Sequence, residues 1–248
     1  MGNILSLGKV VFPGHPSSDA KEELEARGFT VTKTFAEIET NAPDPVAAVY
    51  HGNMEDFAQV AHMWQKLKTR RLIGMEYPGY GWRGAETATQ EKVLDEVCGQ
   101  ASMLRRHGPA FVIGRSLGTF AAIHMALELG HENCAGLILL SPMLTAVATK
   151  IPPPLHRPFA FMDMIDNESA ARRLDARIPV LIVHGQADHI VPVSNGRALR
   201  SLLTLCDYLE LENIGHNDLC LSKLAWHRIE SFMSINKGSA LKPKGSAL

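Results

Sequence analysis

The chain has 248 residues, 46% of them hydrophobic and 21% charged, which is long enough for a full core and ordinary for a globular protein. Its 25 Lys and Arg against 26 Asp and Glu leave a formal net charge of -1, which gives no reason to expect a nucleic-acid partner. Four cysteines, Cys98, Cys134, Cys206 and Cys220, form no CxxC pair and stand at no zinc-ligand spacing with histidine; no metal, cofactor or disulfide framework is expected, and reduced thiols in a cytoplasmic protein are the plain reading.

The opening MGNILSLGK fits M-G-x-x-x-[ST], which makes Gly2 a candidate for N-myristoylation. A single myristoyl chain holds a membrane only marginally, so peripheral contact with the cytoplasmic face would need a second signal. KLKTRR at 66–71 and the tail KGSALKPKGSAL offer basic residues for it; the tail over 237–248 otherwise reads as disordered. No apolar run approaches the ~18 residues of a membrane span, and no secretion signal is expected.

Up to residue 44 the pattern is irregular, with strands expected at KVVF (9–12) and near FTVTKTF (29–35). From there short apolar runs alternate with helical periods, the pattern of β-α repeats around a mostly parallel sheet. The expected strands are VAAVY (46–50), RLIGM (71–75), AFVIG (110–114), GLILL (136–140), VLIVH (180–184) and YLELE (208–212). They are apolar without alternation, as strands covered on both faces should be. Between them run helical stripes: Phe57, Val60, Ala61, Trp64 and Leu67; Val93, Val97, Ala101 and Leu104; the run LGTFAAIHMALEL; and Leu221, Ala225, Ile229 and Phe232. From 143 to 177 the alternation stops. IPPPLHRPF cannot be helical, and with the helix-like NESAARRLDARI it reads as a short lid above the sheet of a single domain spanning 1–248.

One turn carries chemistry. Gly114-Arg115-Ser116-Leu117-Gly118 falls between a strand and a helix, where a G-x-S-x-G sequence presents a serine on a sharp bend. Serine needs a base and a group to orient that base, and the chain order Ser, Asp, His places both downstream. Asp188 follows the strand VLIVH, and His216 follows YLELE; Asp218 is the alternative orienting acid. The oxyanion formed on attack needs two backbone donors. Leu117 supplies one at the helix N-terminus, and the loop His51-Gly52-Asn53 after VAAVY supplies the other, from Asn53 with Met54 as the alternative. His51 is expected to brace that loop, and His184 to be structural. Arg115 either holds an anionic substrate group or pairs with a structural acid. Tyr80 in YPGYG and Met143 under the lid are candidate substrate contacts.

With these pieces in order, the sequence resembles the α/β-hydrolase superfamily, and within it the α/β-hydrolase-domain-17 group of acyl-protein thioesterases. The matching segments are HGNMEDFAQV (51–60), EYPGYG (76–81), GRSLGT (114–119), ILLSP (138–142), PVLIVHGQADHIVPVSNG (179–196) and GHNDL (215–219). The resemblance implies an α/β-hydrolase fold, a Ser116, Asp188 and His216 triad, and removal of S-acyl chains from membrane-attached cytoplasmic proteins. That group carries an N-terminal cysteine cluster, whereas no cysteine precedes Cys98 here, and it usually has an uncharged residue where Arg115 stands. The expected substrate is an S-acylated protein or a small acyl ester. A carboxylesterase or monoacylglycerol-type lipase is the enzymatic alternative, and an idle hydrolase fold used for binding is the other.

Overall fold

The computed structural model describes residues 12–43, 45–146, 149 and 165–237. Gly2, the tail beyond Lys237, most of KVVF and the proline-rich part of the expected lid lie outside the described residues. The main sheet has eight strands in the order β10-β9-β8-β7-β4-β5-β3-β2. They are β2 (Thr30–Val31), β3 (Phe35–Glu39), β4 (Val46–Tyr50), β5 (Arg71–Met75), β7 (Ala110–Arg115), β8 (Cys134–Leu140), β9 (Val180–Gly185) and β10 (Cys206–Leu211). The six from β10 to β5 are parallel; only β3 on β5 and β2 on β3 run antiparallel. Two further short strands, β1 (His15–Pro16) and β6 (Tyr80–Gly81), pair with each other in parallel.

Alternation along each strand divides the core between the two faces of the sheet. Val46, Ala48 and Tyr50 of β4 join Val112 of β7 and Leu137 and Leu139 of β8 on one face, under α3 (Gln90–Leu104) and α4 (Gly118–Asn133). Ala47 and Val49 join Phe111, Ile113 and Ile138 on the other, under α1 (Ala20–Ala26), α2 (Phe57–Trp64) and α7 (Lys223–Asn236). With both faces covered, β4 and β7 are buried throughout, which is why they are apolar without a polar side as far as Arg115 at the end of β7.

Several elements differ from the sequence expectation. FTVTKTF is not one strand: it folds back at Thr32, whose Oγ1 donates to Phe35 O at 2.8 Å, and becomes β2 and the start of β3. Leu221 stands outside the last helix and is 80% exposed, because Ser222 caps α7 by accepting from Ala225 N at 3.3 Å and the preceding four residues form a 3-10 turn. A helix unmarked by the apolar pattern, α6 (Ser194–Leu202), follows β9, and NESAARRLDARI is helical only over α5 (Asn167–Arg172).

Candidate active site

The parallel strands end along one edge, and the loops leaving β4, β7, β9 and β10 bring the expected residues to it. Ser116 turns the chain from β7 into α4 with φ at 51°, a left-handed conformation that costs a non-glycine residue about 1–2 kcal/mol. Its N–H donates to Leu140 O at 2.9 Å, and its carbonyl accepts from Thr119 N at 3.1 Å and Thr119 Oγ1 at 2.6 Å, so neighbours on both sides hold the bend. The flanking glycines are there for close approach. A Cβ on Gly114 would stand 2.6 Å from Gly118 O, and one on Gly118 would stand 2.2 Å from Tyr50 O. Leu117 caps the N-terminus of α4, where the first amides of a helix have no partner in their own helix and anions are favoured.

Beyond β9, Asp188 is held by its own loop: Oδ1 accepts from Ile190 N at 3.0 Å and Val191 N at 2.8 Å. Its Oδ2 accepts from His216 Nδ1 at 2.7 Å. His184, fully buried, donates from Nε2 to Val191 O at 2.9 Å and stands 3.5 Å from the same Oδ2. Burial alone would raise the Asp188 carboxyl, but the hydrogen bonds from His184 and His216 outweigh it and hold the group well below the usual carboxylate range. An ionised Asp188 fixes the proton of His216 on Nδ1 and leaves Nε2 as the basic nitrogen. Asp218 instead accepts from Gly215 N at 3.2 Å and braces the loop that carries His216.

The loop after β4 is tied on both sides. Met54 N–H donates to Asn53 Oδ1 at 2.9 Å, and Tyr80 Oη donates to the same oxygen at 2.7 Å, so the Met54 amide is already committed. The carbonyl of the Gly52–Asn53 peptide accepts from His51 Nδ1 at 2.8 Å, while His51 Nε2 donates to Glu76 Oε1 at 2.7 Å. Both ring nitrogens thus face oxygen: the Gly52 carbonyl takes the proton on Nδ1, and a second proton lies between Nε2 and Glu76 Oε1. Burial would lower the pKa of His51, yet the adjacent Glu76 carboxylate overrides it and the net shift is upward. Glu76 also accepts from Tyr77 N at 3.1 Å and, at the start of α2, from Phe57 N at 3.1 Å.

Arg115 is almost wholly buried, and its charge is met within the protein. Nη1 lies 2.7 Å from both Glu55 oxygens, and Nη2 donates to Asn217 Oδ1 at 2.9 Å. Met143 is buried beyond β8, with its carbonyl accepting from Asn167 Nδ2 at 2.9 Å, and the buried Tyr80 presents its hydroxyl to Asn53. Sequence reasoning passed over Glu55, Glu76 and Asn217. Glu55 and Asn217 stand beside candidate residues and Glu76 opens EYPGYG, yet nothing in the spacing says which acid meets which cation. Cavities of about 380 and 720 Å³ lie at the opposite edge of the sheet, among Val180, Leu205 and Arg228 and among Thr40, Lys66 and Lys237, and contain none of these groups. Among the described residues no helix is long and apolar enough to cross a membrane, and no group of three or more His, Cys, Asp or Glu is placed to hold a metal ion.

No family model matches the chain. Over 192 residues it is 27% identical to alpha/beta hydrolase domain-containing protein 17C of Xenopus tropicalis, an alignment covering 74% of this chain and 60% of that protein's length. A lipase-esterase related protein from Clostridium acetobutylicum superposes with a TM-score of 0.66 at 15% identity, over 81% of this chain and 100% of the other. The monoacylglycerol lipase of Paleococcus ferrophilus superposes with a TM-score of 0.60 at 17% identity, over 82% and 99%. The chain therefore has the α/β-hydrolase fold.

Proposed function

We propose that this chain, an α/β-hydrolase fold similar to the domain-containing 17 proteins, is a serine hydrolase cleaving thioester or ester bonds of apolar acyl chains through an acyl-enzyme. The observation that carries the reading is the 2.7 Å bond from His216 Nδ1 to an ionised Asp188, at the same sheet edge as the bent Ser116. Ser116 Oγ adds to the acyl carbonyl as His216 Nε2 takes its proton. The carbonyl oxygen becomes an anion met by the Asn53 and Leu117 amides. As the intermediate collapses, His216 gives the proton to the leaving sulfur or oxygen. Water, deprotonated by the same nitrogen, then releases the carboxylic acid and restores Ser116. Each oxyanion donor contributes about 3 kcal/mol to such a transition state.

The resemblance to the domain-containing 17 proteins favours an S-acylated protein as the substrate, with the reaction set on the cytoplasmic side; peripheral membrane contact through Gly2 rests instead on the M-G-x-x-x-[ST] opening of this sequence. The second reading, a monoacylglycerol-type lipase or carboxylesterase, draws on the likeness in fold to the Paleococcus ferrophilus enzyme. Turnover of a matched series of acyl thioesters and oxoesters, with chains from two to sixteen carbons, separates the two. A preference for long-chain thioesters is expected, and faster turnover of short oxoesters or monoacylglycerols contradicts it.

A further inference from the structure

Three segments have to keep a fixed relation for the proposed chemistry: the loop after β4 with its amide, the bend with Ser116, and the loop with His216. They come from strands that are not all adjacent, since β10 and β4 are separated by β9, β8 and β7. One side chain spans all three. Arg115 immediately precedes Ser116, reaches Glu55 in the first loop through Nη1 and reaches Asn217, next to His216, through Nη2. The chain of contacts continues backwards, because Glu55 Oε1 also accepts from Gly52 N at 2.6 Å. The Cys220 thiol, on the turn after His216, also meets the guanidinium. Burial would discourage the charge on Arg115, but the Glu55 carboxylate more than offsets it and keeps the group a cation.

We infer that Arg115 is a positioning residue that locks the oxyanion loop, the nucleophile bend and the histidine loop into one register, with Glu55 and Asn217 as its two anchors. The inference rests on the serine hydrolase reading and goes beyond it. It makes the arginine's charge internal to the protein, used for geometry and not for holding an anionic substrate. The planar fork suits this task, since two nitrogens of one rigid group fix two loops at once, which a lysine would not do. A misplacement near 1 Å at a reacting centre can cost about a hundredfold in rate, so losing the clamp should be felt in kcat.

The test measures kcat and KM on a neutral acyl thioester and on one bearing a carboxylate, for the parent, Arg115→Gln, Glu55→Gln, the Arg115→Gln/Glu55→Gln double variant and Asn217→Ala. Rates are divided by active sites titrated with a fluorophosphonate. Arg115→Gln is expected to lower kcat per titrated site by roughly ten- to a hundredfold with KM changed less than about twofold, equally for both substrates. Glu55→Gln should do the same, and the double variant should fall no further than the weaker single, because the two act as one unit. Asn217 is exposed, so Asn217→Ala keeps the fold and should show a smaller loss with the same split, which carries the test if Arg115→Gln fails to fold. Variants that titrate fewer sites but keep kcat per site would overturn the inference in favour of a purely structural ion pair. A KM increase confined to the carboxylate substrate would overturn it in favour of substrate binding. A parent that takes no fluorophosphonate at Ser116 overturns the hydrolase reading, and the inference with it.

Discussion

At the scale of single residues, the described site is a set of charges whose partners decide their protonation. Asp188 gathers two backbone amides and two histidines, so it is ionised wherever the protein is folded in ordinary buffer. Asp188→Asn keeps the shape but removes the reason for His216 to carry its proton on Nδ1, and kcat should fall by about 10⁴-fold while KM changes little. The carboxyl is lowered in the fold, so its contribution to stability is present above the unfolded value near 3.9 and is lost as pH falls through the folded one. In urea titrations from pH 5 downwards the parent should therefore lose stability more steeply than Asp188→Asn, and parallel curves would contradict the pairing.

His51 has the opposite sign. Its pKa is raised in the fold, so the stabilisation from its pair with Glu76 is complete below the unfolded value near 6.5 and is lost as pH rises through the folded one. Glu76→Gln should be less stable than the parent at pH 6, and the gap should narrow as pH rises; a gap constant from pH 6 to 9 would show that His51 is neutral. His51 was visible in the sequence as the histidine of an HG dipeptide after VAAVY. The Glu76 carboxylate that sets the charge of His51 was not, because it stands 25 residues away and is joined only by the folding of β5 beside β4.

At the scale of elements, the strands were legible because their burial on both faces leaves only apolar residues, and β4 and β5 match the expected ranges residue for residue. Helix α6 was illegible for a reason the structure supplies. Gly196 in its first turn breaks the helical signal, yet a Cβ there would stand 2.4 Å from His184 Nδ1, so the histidine under Asp188 demands the glycine. The serine bend was legible from Gly114 and Gly118, and their cause is now specific. Gly118→Ala would drive a Cβ to 2.2 Å from Tyr50 O and 2.5 Å from His51 O, backbone atoms that no rotamer change can relieve. The expected cost is about 1–3 kcal/mol in urea unfolding, with a slower reaction of Ser116 with fluorophosphonate in the molecules that remain folded. An unchanged labelling rate would mean that the bend and the oxyanion loop are not mechanically joined.

Taken whole, the molecule separates support from chemistry along the strand direction. The loops bearing Asn53, Ser116, Asp188 and His216 occupy one edge of the sheet. Away from that edge, at the far end of α2, the fully buried Trp64 ring meets Trp226 of α7 edge-on at a centroid distance of 5.5 Å and ties two helices on one face together. Trp64→Ala should cost about 3–5 kcal/mol, and at temperatures where the variant is folded its Ser116 should react within about twofold of the parent rate. The chain spans 60% of the length of the Xenopus tropicalis relative, so what the whole of that protein does is a separate matter from the reaction proposed for this fold.

The central claim is that Ser116 is a nucleophile made reactive by His216 and Asp188. Its most direct measurement is the reaction of the purified protein with a fluorophosphonate, read by intact mass and by the site of modification. The account predicts one adduct per chain, located on Ser116, absent in Ser116→Ala and slowed by orders of magnitude in Asp188→Asn and His216→Ala. No adduct on the parent, or an adduct that persists in Ser116→Ala, would contradict it.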